Sequence, residues 1–101
     1  MGSYFPGVFM QLSDKVAPHD KVLTKTIDGE IIVLSLASGH YYKLSSEAST
    51  IWDLLKEGVK VSDIRDAMIQ TYDAPSSQIQ DDLMEVIEML EREQLIRVSK
   101  E

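Results

Sequence analysis

The feature that most constrains this chain is an Asp-Gly pair between two stretches of strand-forming residues. Asp28 and Gly29 favour a two-residue type I′ hairpin turn, because that turn needs positive φ at both positions and these residues accept it. Before the turn, Lys21 to Ile27 alternates polar and apolar residues, and after it Glu30 to Leu36 is rich in β-branched and aliphatic side chains. The sequence therefore predicts an antiparallel hairpin, with Glu30 to Leu36 as a central strand.

A third strand and an open sheet edge are predicted next. Residues 37–39 (ASG) predict a second turn, and His40 to Leu44 (HYYKL) predicts a short strand. A helix start follows at once, so this strand is expected to lie at the edge of the sheet. An edge strand presents unpaired backbone N–H and C=O groups. Our functional hypothesis is that another chain pairs with this edge.

Three helices are predicted after the strands. The first begins at residues 45–47 (SSE) and runs to Glu57, where Gly58 ends it. The second begins at Ser62 and Asp63. The third begins at a capping box of Ser77 and Gln80 and runs to about Glu93. The side chains expected to be buried on the second helix are Ile64, Ala67, Met68 and Tyr72. The fold class is α+β, a three-stranded antiparallel sheet followed by three helices, similar to a winged helix-turn-helix.

The two ends of the chain are less regular. Residues 1–20 are assigned to an N-terminal arm and a connecting loop, and residues 21–98 to the folded domain. Met1 to Gln11 is apolar and holds both phenylalanines, so it is either a plain arm or strand along the sheet, or a segment that covers a groove until a partner displaces it. Leu12 to Asp20 is expected to be an entry loop, either without regular structure or with a short strand. Gln94 to Val98 is either a closing strand or a last apolar contact.

The third helix carries more apolar surface than one core contact needs. At 100° per residue its apolar arc spans roughly 220°, with Met84 at one side and Met89 at the other, whereas a helix packed on one side needs little more than ~100°. The surplus is either further core or the wall of a groove beside the edge strand, and methionine suits a groove because its flexible side chain adapts to varied partners. The residues of the central stripe are Ile79, Leu83, Val86, Ile87 and Leu90.

The hypothesis assigns ten residues to a peptide-binding site. The edge strand supplies the backbone that pairs with the guest, three apolar helix residues form the groove wall, and two acidic ones receive basic guest side chains. Ordinary strand packing is the alternative explanation of the Tyr-Tyr pair. The ten residues are His40, Tyr41, Tyr42, Lys43, Leu44, Asp82, Leu83, Met84, Ile87 and Glu91.

Composition and missing motifs argue against several classes of function. A formal charge of −7 disfavours a nucleic-acid partner, and the third helix carries six acids against the single base Arg92, which disfavours winged-helix DNA binding. The chain has no cysteine, its two histidines are isolated, and no phosphate loop or nucleophile motif occurs. No apolar run approaches the ~20 residues of a membrane span. We therefore expect a cytoplasmic non-enzyme without metal or cofactor; a subunit that dimerises through the edge is a further alternative.

Three segments of the chain together form a family-specific pattern: DGEIIVLSLASGHYYKLSSEASTIWDLL (28–55), VSDIRDAMIQTYD (61–73) and LEREQLI (90–96). In their order and spacing, the chain from Lys21 to Ile96 resembles the PqqD-like family, the precursor recognition elements of ribosomally made, modified peptides (RiPPs). The apolar N-terminal arm does not align with the family, and residues 75–77 (PSS) replace its usual acidic opening of the third helix.

The resemblance implies a function and partners. Members bind the leader segment of a precursor peptide as a fourth strand beside the third, in the cleft against the third helix. By position, this role falls on His40 to Leu44 and on Leu83, Met84 and Ile87. The chain looks most like the stand-alone leader-binding subunit of lasso-peptide clusters, whose implied partners are a leader-peptidase subunit and an ATP-dependent cyclase. The alternative is the coenzyme PQQ pathway, with a radical-SAM partner.

Overall fold

The computed structural model describes residues 10–99, which form two small antiparallel sheets and three helices. One sheet has the strand order β2-β3-β4 and the other the order β5-β1-β6. The α+β class and the predicted three-stranded sheet are confirmed, and the second sheet is an addition to the prediction. The elements in chain order are β1 (Lys15–Pro18), β2 (Val22–Ile27), β3 (Glu30–Ser35), β4 (Tyr41–Lys43), α1 (Ser46–Leu55), β5 (Val59–Lys60), α2 (Val61–Thr71), α3 (Ser76–Arg92) and β6 (Ile96–Ser99).

The Asp-Gly turn forms as predicted. Asp28 has φ 53° and Gly29 has φ 81°, the two positive values that a type I′ turn requires. The turn sets the register of the hairpin, with Ile27 opposite Glu30, and β3 lies between β2 and β4. Odd-numbered β3 residues are buried and even-numbered ones are partly exposed, so the two faces of the sheet are distinct.

The second sheet joins three segments that are far apart in the sequence. Val16 of β1 is buried and lies opposite Val59 of β5 on one side and Val98 of β6 on the other. Residues 15–18 therefore belong to the same folded unit as the helices, although the predicted division of the chain falls at residue 20. Of the predicted apolar arm, residues 1–9 lie outside the described residues; Met10 is buried in the core.

The first helix follows the prediction closely. The Ser45 hydroxyl caps it by accepting a hydrogen bond from the Ala48 N–H at 3.1 Å, and Gly58 adopts φ 83° after its end. The helix ends at Leu55, two residues earlier than predicted. Its apolar face is buried against the core through Ala48, Ile51, Trp52 and Leu55.

Two details of the other helices were predicted wrongly. Tyr72 is 38% exposed, because α2 ends at Thr71 and the chain turns to an extended conformation before the tyrosine can reach the buried face. Ser77 does not cap α3, because the helix has already begun at Ser76 after Pro75. The expected capping partner Gln80 instead accepts a hydrogen bond from the Arg65 side chain of α2 at 3.4 Å.

Candidate functional site

The outer edge of β4 is the first component of the site. Within residues 10–99, β4 pairs with β3 alone. The Ser35 N–H donates to the His40 carbonyl at 2.9 Å, and the Leu44 N–H donates to the Ile31 carbonyl at 2.9 Å. These bonds fix the direction of the backbone: the even-numbered residues of this segment turn their N–H and C=O groups towards β3.

The intervening residues turn their backbone groups the other way. Because hydrogen-bonding direction alternates along an antiparallel strand, the N–H and C=O groups of Tyr41 and Lys43 point to the outer edge. Two residues supply two donors and two acceptors, enough for four hydrogen bonds to an added strand. At about 0.5–1.5 kcal/mol net for each bond, the edge offers roughly 2–6 kcal/mol of backbone pairing.

The side chains of β4 and its flanks divide between core and solvent. Leu44 is buried and Tyr42 half-buried, whereas Tyr41 is 74% exposed. Lys43 is also exposed and forms an ion pair with Glu30 at 3.1 Å. His40 precedes the strand and is exposed. Its backbone N–H donates a hydrogen bond to the Ser38 hydroxyl at 3.2 Å. Tyr42 and Leu44 therefore face the core, whereas Tyr41 and Lys43 face the solvent.

Tyr42 ties the edge strand to the end of α3. Its hydroxyl donates a hydrogen bond to Oε1 of Glu93 at 2.9 Å. This hydrogen bond, together with partial burial and the negative charge of the carboxylate, raises the pKa of Tyr42 above its ordinary value. The bond identifies the flank of α3 that lies nearest to β4.

That contact separates α3 into two flanks. Residues four, seven and eleven positions apart share one side of a helix, so Glu93 belongs with Asp82, Val86 and Met89, which we call the β4 flank. Gln80, which contacts Arg65 of α2, belongs with the residues of the opposite flank, which we call the α2 flank. The α2 flank consists of Gln80, Met84, Ile87 and Glu91.

Most of the helix residues that the sequence assigned to the peptide-binding site do not lie on the β4 flank. Leu83 and Ile87 are both 0% exposed and belong to the core, so their side chains offer no free surface. Met84 and Glu91 lie on the α2 flank, away from the Tyr42 contact. Asp82 alone of the five predicted helix residues lies on the β4 flank, and it is half-buried.

Sequence reasoning missed three residues of the β4 flank. Val86 and Met89 are half-buried against the core, and they also line a shallow surface depression together with Glu85, Glu88 and Arg92. Glu93 receives the Tyr42 hydroxyl. The wide apolar arc of the helix contained this signal, since it included Met89, but the sequence did not indicate which side of the arc meets the edge strand.

The charges around the β4 flank are mostly negative. Asp82 and Glu93 carry carboxylates on the flank itself, and Glu85 and Glu88 lie beside it. The one basic residue of α3 is Arg92, whose Nε lies 3.8 Å from Oε2 of Glu93. The flank thus combines a small apolar surface with carboxylates, which suits an apolar segment that carries a basic residue.

Two structural checks concern metals and membranes. Among residues 10–99, no three side chains of the types His, Asp and Glu converge in a way that would hold a metal ion. In the same part of the chain, none of the helices has the length and apolarity needed to cross a bilayer.

Comparison with known proteins identifies the family. The family model described as coenzyme PQQ synthesis protein D (PqqD) matches residues 30–96, which include β3, β4 and the helices α1, α2 and α3. The chain belongs to the PqqD family. No curated protein sequence matches it.

Two solved structures share the fold of this PqqD-family chain. TbiB1 in complex with the TbiA(beta) leader peptide is 31% identical, with a TM-score of 0.76 over 80% of this chain and 94% of the other. Lasso peptide synthetase B1 complexed with the leader peptide is 17% identical, with a TM-score of 0.73 over 81% of this chain and 96% of the other. At 17% identity, the second likeness concerns the fold alone.

Proposed function

We propose that this PqqD-family chain binds the leader segment of a ribosomally made precursor peptide by adding it as a strand to the outer edge of β4. The observation that carries the proposal is the outward backbone of Tyr41 and Lys43, at a strand tied to α3 by the Tyr42–Glu93 hydrogen bond. The similarity to TbiB1, which was solved with a leader peptide, supports the same function.

The guest makes two kinds of contact. Its backbone exchanges hydrogen bonds with Tyr41 and Lys43, which gives affinity with little dependence on sequence. Its side chains that point towards the core side lie over the β4 flank of α3. Val86 and Met89 receive apolar guest residues there, and Asp82 and Glu93 attract basic ones.

The role of the chain is to carry the peptide, without catalysing a reaction itself. In this proposal it presents the precursor to a leader-peptidase subunit and an ATP-dependent cyclase of lasso-peptide biosynthesis in the cytoplasm. The pathway is inferred from the resemblance of the sequence to the stand-alone leader-binding subunits of lasso-peptide clusters.

The coenzyme PQQ pathway is the second candidate, because the matching family model is that of coenzyme PQQ synthesis protein D. There the chain would deliver its peptide to a radical-SAM enzyme. Reconstitution with each kind of enzyme distinguishes the two pathways, since only the true partner modifies the precursor faster when the chain is present. Winged-helix DNA binding is the weakest candidate, because the acids of α3 would face phosphates.

Calorimetry tests the binding step directly. The full chain is titrated with the synthetic leader of its own precursor peptide, and with a scrambled leader as the control. We expect saturable binding of the leader and none of the scrambled peptide. Equal heats from both peptides, or no heat from either, would contradict the proposal.

A further inference from the structure

The β2-β3-β4 sheet has a second face, turned away from the core, that is unusually apolar. Residues opposite one another in antiparallel strands project from the same face, so the register places Leu23, Leu34 and Tyr41 in one row across the three strands. Leu23 is 56% exposed and Tyr41 is 74% exposed, while Leu34 on the central strand is half-buried. We call this surface the outer face.

A second row on the outer face is basic at both ends. Lys25, Ile32 and Lys43 lie opposite one another on β2, β3 and β4. Lys43 is paired with Glu30, whereas Lys25 makes no ion pair within residues 10–99. On a chain with a formal charge of −7, the outer face therefore combines apolar side chains with an unpaired positive charge.

This pattern differs from that of a sheet whose second face meets only water. An antiparallel sheet packed on one side usually carries polar residues on its solvent face. Here the central strand presents Ile32 and Leu34 outward, and Ile27 on β2 is also exposed. Contiguous exposed apolar side chains rimmed by charge are typical of a protein-binding surface.

We propose that the outer face docks a partner protein whose own apolar patch is bordered by carboxylates, and that the partner is the enzyme that processes the bound leader. The charge of Lys25 selects an acidic border on the partner. A second copy of this chain fits less well, because a twofold contact would set the lysine-bearing surface against itself.

The position of the guest strand links this face to peptide binding, and this step depends on the proposed function. A strand added beside β4 extends both rows by one residue each, next to Tyr41 and Lys43. The side chains of these guest residues then join the outer face. A partner that contacts the face meets a larger surface when the leader is present, so it distinguishes the loaded chain from the empty one.

The test uses two variants of β2, the strand farthest from the peptide edge. Leu23→Ser removes an exposed apolar side chain, and Lys25→Glu reverses the charge. Ile69→Ser on α2 is the matched control, because Ile69 is also an exposed apolar residue but lies outside this sheet. The probes are the leader-peptidase subunit of the same pathway, whose affinity is measured with and without leader, and the leader alone.

We expect Leu23→Ser and Lys25→Glu each to weaken peptidase binding about tenfold, or 1.4 kcal/mol, with and without leader. Added salt is expected to reduce the difference between Lys25→Glu and the unaltered chain, because salt screens charges at an exposed site. Leader affinity should stay the same in all three variants, and Ile69→Ser should bind the peptidase normally.

Three results would overturn the docking proposal: no peptidase binding by the unaltered chain, unchanged peptidase binding by Leu23→Ser, or a dimer of the chain that Leu23→Ser dissociates. The proposed function is judged separately, because it depends on the calorimetry of the leader alone. Loss of leader binding with retained peptidase binding would leave docking in place and remove only the distinction between loaded and empty chains.

Discussion

The Tyr42 hydroxyl donates a hydrogen bond to the Glu93 carboxylate at 2.9 Å and so joins the edge strand to the residue that follows α3. The two residues are 51 positions apart in the sequence. Their contact sets which flank of α3 accompanies the edge strand, and it therefore determines which helix residues are expected to contact a bound peptide.

The first prediction concerns the ionisation of Tyr42. Its raised pKa means that folding favours the protonated phenol, so this contribution to stability is complete below the ordinary phenol pKa of about 10. It is lost as the pH rises through the higher pKa of the folded state. The denaturation midpoint should therefore decrease as the pH is raised through this alkaline range. The midpoint of Tyr42→Phe should decrease less steeply.

Glu93→Gln provides the control for that measurement. The amide oxygen can still accept the hydrogen bond, but the negative charge is gone, so the pKa of Tyr42 should move back towards its ordinary value. The ultraviolet absorbance of tyrosinate follows this titration. An unchanged tyrosinate titration curve in Glu93→Gln would show that the contact does not govern the ionisation.

The second prediction is a period-two pattern in the bound peptide. Since the outer edge exposes the backbone groups of Tyr41 and Lys43 and turns those of Tyr42 inward, only alternate guest residues can pair with it. Methylating the backbone nitrogen of a paired guest residue should weaken binding by about 1 kcal/mol or more, at least about fivefold. Methylating the residues between them should have little effect.

Calorimetry of a series of singly methylated leaders provides the measurement. The sensitive positions should be two residues apart. If sensitivity were uniform along the peptide, or confined to one residue, strand addition at β4 would be the wrong mode of binding.

The third prediction compares two methionines on opposite sides of one helix. Met89 lies on the β4 flank and Met84 on the α2 flank, and both are half-buried. Met89→Ala should weaken leader binding by on the order of 1 kcal/mol, because apolar contact with the guest is lost. Met84→Ala serves as the matched control and should bind the leader normally, and the reverse result would favour the original sequence-based wall.

The fourth prediction concerns two residues that the sequence assigned to the groove. Leu83 and Ile87 are fully buried, so Leu83→Ala or Ile87→Ala should lower the free energy of unfolding by about 2–5 kcal/mol. Urea denaturation measures this loss. A variant that kept full stability but lost leader affinity would instead support the assignment of that residue to the peptide-binding site.

Local sequence signals predicted most of the fold, and the reasons are specific. The Asp28–Gly29 turn needs only two residues to reverse the chain, and the Ser45 cap and Gly58 stop define α1 within one segment. The second sheet had no comparable signal, because β5 has two residues and β1 finds its partners more than 40 positions away. Pairing at that distance depends on tertiary packing, which a local pattern does not encode.

Part of the candidate site could also be predicted from local sequence. The sequence predicts that side chains of β4 alternate between core and solvent and that β4 lies at the edge of its sheet, and the structure agrees with both. The apolar arc of α3 was recognised, but its rotation about the helix axis was not, because either methionine satisfied the pattern. The contacts of Glu93 with Tyr42 and of Gln80 with Arg65 determine that rotation, and both join residues from different elements.

The pairing of β1 with β6 has a consequence for how the domain connects to other sequences. Lys15 at the start of β1 lies opposite Ser99 at the end of β6, so the first and the last strand of the described residues are neighbours. Both strands belong to the sheet that does not contain β4. A domain whose first and last strands are neighbours can be inserted into a surface loop of a host enzyme, or fused at either end, while the outer edge of β4 keeps its geometry.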